Sequence, residues 1–114
     1  MTTAQMRAPT RDHLDWPFFE PEHAGFTAEL DRFAGSGALA GIDHRDTDEA
    51  CRALVKALGA AGILRACVPS GYGGIADPLE SRRICLARES LAYHDGLADF
   101  AFAMQGLGTG AISL

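Results

Sequence analysis

Between Gly96 and Leu114 the chain GLADFAFAMQGLGTGAISL carries a single formally charged side chain, Asp99. At 3.6 residues per turn, Leu97, Phe100, Ala101, Met104, Leu107, Gly108 and Ala111 trace one face, and Phe102, Gln105 and Thr109 trace another. A helix that is apolar all round needs cover from a core, a partner or a membrane. The expectation is a core helix with both faces buried. Small residues at 106, 108, 110 and 111 let another backbone or a ligand come close. A membrane span is disfavoured although the length of ~20 residues and the Gly106…Gly110 pair would suit one. Asp99 and Gln105 interrupt it, Gly, Ala and Ser dilute it, and no basic anchors flank it.

The rest of the chain supplies three further helices. Met1 to Trp16 reads as a loose leader, with a flexible segment over 1–17 and the domain over 18–114. Pro21 suits the first turn of a helix whose Phe19, Phe26, Leu30 and Phe33 share a face, and Gly35-Ser36-Gly37 ends it. Asp46 with Glu49 three residues on reads as a capping box. It opens a second helix, roughly Thr47 to Ala61, with Cys51, Leu54, Val55 and Leu58 as its stripe. Ile63 to Val68 reads as an extended connector, and Ser70 to Gly74 as a glycine turn with Tyr72 as a packing side chain. Asp77-Pro78-Leu79-Glu80 is the strongest helix start in the sequence. The third helix that follows has Ile84, Ala87 and Leu91 inward, Arg82, Arg83, Arg88 and Glu89 outward, and His94 meeting its last carbonyls.

Composition narrows the function. An apolar content of 47% with net charge −5 fits a globular chain and argues against nucleic-acid binding, as does the lack of a basic run. Cys51, Cys67 and Cys85 fit neither a zinc spacing nor a disulfide framework and read as small buried hydrophobes. With a polar start and no apolar h-region from Met1 to Asp15, the expected location is cytoplasmic. Three glycines around Tyr72 lack the lysine and helix start of a phosphate loop. His13, His23 and His44 show no ligand spacing, and no metal site is expected.

In order, DRFA, LGAAGIL, VPSGYGG, CLARESLAYHDG and FAFAMQGLGTGAI resemble the N-terminal helical domain of the acyl-CoA dehydrogenase family, over roughly Phe18 to Leu114. The most specific pieces are the Pro69…Tyr72-Gly73-Gly74 turn and the Glu89-Ser90-Leu91-Ala92-Tyr93 helix end. The resemblance implies an all-α domain of about four helices, completed by a middle β-domain and a C-terminal helical domain, in an oligomer. It implies FAD, not held by this chain alone, and an acyl-CoA substrate. A glutamate, typically in the C-terminal domain, would take the α-proton while the β-hydride passes to the flavin and electrons leave through an electron-transfer flavoprotein.

By the same resemblance Phe100, Ala103, Met104 and Leu107 line part of the acyl-chain wall. An apolar slot needs such side chains, although packing against neighbouring helices accounts for each of them equally well. No catalytic base is nominated: Glu80 reads as a cap residue, Glu89 as surface, and Asp99 has no evident partner. Ala111 stands where the family often has a proline, and the chain stops at Leu114, where cover for the last helix ought to begin. The expectation is therefore an incomplete domain, inactive alone, whose partners are the remaining flavoenzyme domains or another chain. Alternatives are an acyl-CoA oxidase or flavin monooxygenase domain, a non-catalytic helical interaction module, or, more weakly, a membrane-associated hairpin.

Overall fold

The computed structural model describes residues 10–75 and 79–113. Within them the chain is all-α, with helices α1 (Pro21–Gly35), α2 (Thr47–Ala60), α3 (Ser81–His94) and α4 (Gly96–Ser113) and no β-strand. α3 packs on α1 and α4, and α2 packs on α4. The extents of 40 × 34 × 17 Å describe a slab about two helix layers thick, since packed helix axes lie ~8–10 Å apart. A slab of that depth leaves some helix faces without a neighbour.

Helix boundaries follow local chemistry. Pro21 takes the first turn of α1, as its missing N–H and fixed φ allow. Asp46 caps α2 by accepting from the Glu49 amide at 3.2 Å, while the Glu49 side chain turns to Arg52, so half of the capping box forms. The strong start signal before α3 is displaced: Glu80 holds the N-cap position and the helix opens at Ser81. Asp77 and Pro78 lie outside the described residues.

The connector also differs. Ile63–Cys67 forms a 3-10 helix instead of an extended strand-like segment, because Ile63, Ala66 and Cys67, three and four apart, all face the core. Ser70–Tyr72 turns again, and Gly73 ends it at φ 91°, a conformation that suits glycine. Gly74 is fixed by crowding: a Cβ there would stand 1.6 Å from the Val68 carbonyl oxygen. Tyr72 is 66% exposed and does not pack inward, since the short 3-10 turn aims its side chain away from the core.

The core joins Phe26 and Leu30 of α1, Leu54 and Leu58 of α2, Leu86, Ala87 and Leu91 of α3, and Ala98, Ala101 and Phe102 of α4. In α3 the buried stripe runs through Leu86, Ala87, Ser90 and Leu91, while Ile84 is half-buried and Cys85 and Ala92 are exposed. Only Cys67 of the three cysteines is a buried hydrophobe; Cys51 is half-buried, and all three are free.

Phe102 is fully buried, whereas Phe100 two positions earlier is 57% exposed. Phe102→Ala is expected to lower unfolding free energy by about 3–5 kcal/mol, a large share of a small domain's total. Phe100→Ala should cost well under 1 kcal/mol, since little apolar area leaves a core. Urea denaturation of both variants checks this; equal losses would mean that the helix is rotated from this register.

Candidate functional site

α4 is held on one side and open on the other. Ala98, Ala101 and Phe102 are buried, and the Thr109 hydroxyl lies 3.1 Å from the Cys67 carbonyl oxygen, tying the helix to the 3-10 turn. Gly106 sits over Cys67, where an added Cβ would meet Sγ at 3.7 Å. Burial pushes the Cys67 thiol up to about 11, so it is an inert packing group.

The other face carries Phe100, Met104, Leu107 and Ile112, all exposed. The expectation of a helix buried on both faces therefore fails: among the described residues no helix lies over that side. Of the four residues assigned to an acyl-chain wall, Ala103 and Leu107 line a groove of about 280 Å³ with Ile84, Arg88, Phe102 and Gly106. Phe100 and Met104 share the helix face but stand outside the groove. Small-molecule pockets usually occupy ~300–1,000 Å³, so the groove has room for only part of a ligand.

Arg88 gives the groove its polar edge. Its Nε and Nη2 reach Asp99 Oδ1 and Oδ2 at 2.8 and 3.1 Å, a two-point pair that ties α3 to α4. Asp99 thus has a partner eleven residues away, a pairing that helix periodicity within one element does not reveal. The other arginines of α3 are likewise satisfied within the chain: Arg82 donates to the Phe18 carbonyl at 2.7 Å, and Arg83 to Glu80 Oε2 at 2.8 Å.

Three polar clusters emerge that sequence spacing did not show. His23 is fully buried; its Nδ1 accepts from the Glu20 amide at 2.9 Å and its Nε2 lies 2.5 Å from Glu80 Oε1. A backbone amide only donates, so Nδ1 carries the lone pair and Nε2 the proton given to Glu80. Arg11, in the segment expected as a loose leader, donates to Asp31 and Glu89 at 2.8 Å each and also to Ser90. A 3-10 helix at Asp12–Asp15 follows it, and Leu14 packs against the core. His44 and Asp95 form the third cluster, 2.8 Å apart, where the α1–α2 connection meets the junction of α3 and α4. His94 does not meet the last carbonyls of α3; its Nε2 is buried without a partner.

Among the described residues no group of His, Cys, Asp and Glu side chains is arranged to hold a metal ion, and no helix is long and apolar enough to cross a membrane. The chemistry these groups offer is an apolar surface beside a charged rim.

Burial pushes the Glu80 carboxyl up, but hydrogen bonds from Arg83 and His23 and the nearby Arg82 charge outweigh it and hold the group below its ordinary 4.5. A depressed carboxylate stabilises the fold above its unfolded value and loses that contribution as pH falls through the lower folded value. Stability should therefore drop in acid, from about 4.5 downward. Glu80→Gln should cost about 1.5–3 kcal/mol at neutral pH, since it weakens hydrogen bonds to charged partners, and should flatten the acid limb of the profile. Thermal melts across that range test it, and an unchanged acid limb in the variant would assign the loss to other carboxylates.

A family model described as acyl-CoA dehydrogenase, N-terminal domain, matches residues 20–114. No curated protein matches the chain.

Proposed function

The chain belongs to the acyl-CoA dehydrogenase family through its N-terminal domain, and on that premise we propose that it is part of an FAD-dependent enzyme that desaturates an acyl-CoA thioester. In this reading α4 supplies one wall of the acyl-chain site. The observation that carries it is the open stripe Phe100, Met104 and Leu107, with the groove of Ala103 and Leu107 along its edge. A methylene chain needs apolar contact and exclusion of water, and these side chains provide both once the face is covered.

The same residues do not fit the cofactor. Phe100, Ala103, Met104 and Leu107 have no side-chain donor for a pyrophosphate or a flavin ring. FAD, which supplies hydride acceptance in this family, would be bound by other parts of the assembled enzyme. The base is placed outside these residues too. Asp99 is paired with Arg88, Glu80 with His23 and two arginines, and Glu89 with Arg11. Each of these carboxylates is already engaged by a donor within the chain and is not positioned to meet a substrate proton.

The cover over α4 is proposed to be the remaining flavoenzyme, in one chain or as a partner subunit of an oligomer. The three free cysteines suit a cytoplasmic setting. An oxidase or monooxygenase on the same domain would share this wall; the fate of the electrons separates them. A non-catalytic interaction module would present the same face without any acyl-CoA response.

The intact protein is expected to reduce an electron-acceptor dye in an acyl-CoA-dependent manner. Ala103→Phe, which fills the groove, should lower kcat/KM for long acyl chains at least about tenfold relative to short ones, as one methylene of misfit in an apolar pocket can do. Equal loss across chain lengths would remove α4 from the acyl site, and no acyl-CoA-dependent reduction at all would refute the activity.

A further inference from the structure

His44, in the connection between α1 and α2, has both ring nitrogens against acceptors. Nδ1 is 2.9 Å from the Ile42 carbonyl oxygen and Nε2 is 2.8 Å from Asp95 Oδ2. Neither a carbonyl nor a carboxylate brings a proton, so each contact requires an N–H on the ring. Only the imidazolium has two. A neutral ring must surrender one of the contacts.

The partner of Nε2 is not an ordinary surface carboxylate. Asp95 is the single residue between α3 and α4, and its Oδ1 accepts from the Leu97 and Ala98 amides at 2.9 and 3.2 Å. It therefore caps α4 with one oxygen and holds the α1–α2 connection with the other. We propose that His44 is a pH-operated latch, closed while its ring is the imidazolium, that ties the connection 36–46 to the cap of α4 and releases it on deprotonation.

The groups that face the ring are few. Asp43 is occupied by Arg45, with contacts of 2.7–3.1 Å. His94 stands with His44 and Asp95 on a cavity of about 150 Å³ whose other walls, Ala34, Leu39, Ala40 and Ile42, carry no titrating side chain. The Ile42 carbonyl, and then the Asp95 charge, raise the His44 ring above its ordinary 6.5. A raised histidine contributes fully below the unfolded value and loses its contribution as pH rises through the folded one. The latch opens above 6.5, on the alkaline side. Nothing here depends on what meets the apolar face of α4.

The test is amide hydrogen exchange on the intact protein, read by mass spectrometry for peptides within 36–46 about two pH units below and above 6.5. After correction for intrinsic exchange, the wild type should exchange about two- to fivefold faster on the alkaline side, the change one exposed ion pair can bring. His44→Gln should show the faster rate on both sides. Asp95→Asn keeps a good capping side chain and should move the midpoint downward. A step of wild-type size in His44→Gln would overturn the latch. So would an unmoved midpoint in Asp95→Asn, or equal protection of the wild type on both sides.

Discussion

The carboxylate of Glu80 is the point on which the junction of α1 and α3 depends. It stands at the N-terminus of α3 and receives the buried His23 of α1 on one oxygen and Arg83 on the other, with Arg82 also within 2.9 Å. His23 in turn accepts from the Glu20 amide, one of the otherwise unpaired N–H groups at the start of α1. One chain of contacts thus satisfies a helix start, a buried imidazole and two arginines. Removing Glu80 would leave His23 Nε2–H without an acceptor at zero exposure, and an unpaired buried donor costs more than a hydrogen bond contributes on average. The apolar contacts of Phe26 and Leu30 with α3 are oriented by this polar end.

Polar ties and apolar contacts are divided by position. Arg11 fastens the N-terminal segment to α1 and α3, Arg88 fastens α3 to α4, and His44 with Asp95 fastens the α1–α2 connection to the start of α4. Each tie lies at a rim, and the core between them is almost wholly aliphatic with Phe26 and Phe102. Exposed ion pairs add little stability singly, so burial of Ala98, Ala101 and Phe102 sets which face of α4 turns inward, and the ties are consistent with that register. Once Phe102 and Ala98 face the core, Phe100, Met104 and Leu107 have to point away.

The sequence revealed the helices more clearly than their faces. Pro21, Asp46 and the glycines at 37 and 73 act within one turn of backbone, so their signals survive into the structure. The inward stripe of α2 was legible at Leu54 and Leu58, since its apolar residues alternate with charged ones, while Cys51 and Val55 are half-buried and Ala50 takes an inner position. α4 offered no such contrast: a helix with Phe, Met, Leu and Ala at nearly every angle does not announce which side meets its neighbours. The clusters at His23, Arg11 and His44 were invisible for another reason. Their partners stand 57, 78 and 51 residues away, and no local period connects them. Ile63 to Val68 misled through its apolar residues and its β-branched Ile63 and Val68, but an extended segment without a partner strand would have left backbone N–H and C=O groups unpaired.

The exposed stripe and the flat slab have one cause. Three helices in a two-layer slab cannot enclose a fourth that is apolar on every side, because each neighbour covers only about one face. α1 is spent on α3, α2 and the 3-10 turn cover the inner side of α4, and α3 covers its flank. The remaining face keeps Phe100, Met104 and Leu107 at i, i+4 and i+7, beside the Ala103 groove. A contiguous apolar surface of this kind is the usual feature of a contact site. An acyl chain held between this face and a second protein surface would satisfy it, since the ligand and the covering surface together remove from water what neither the groove nor the slab can bury alone.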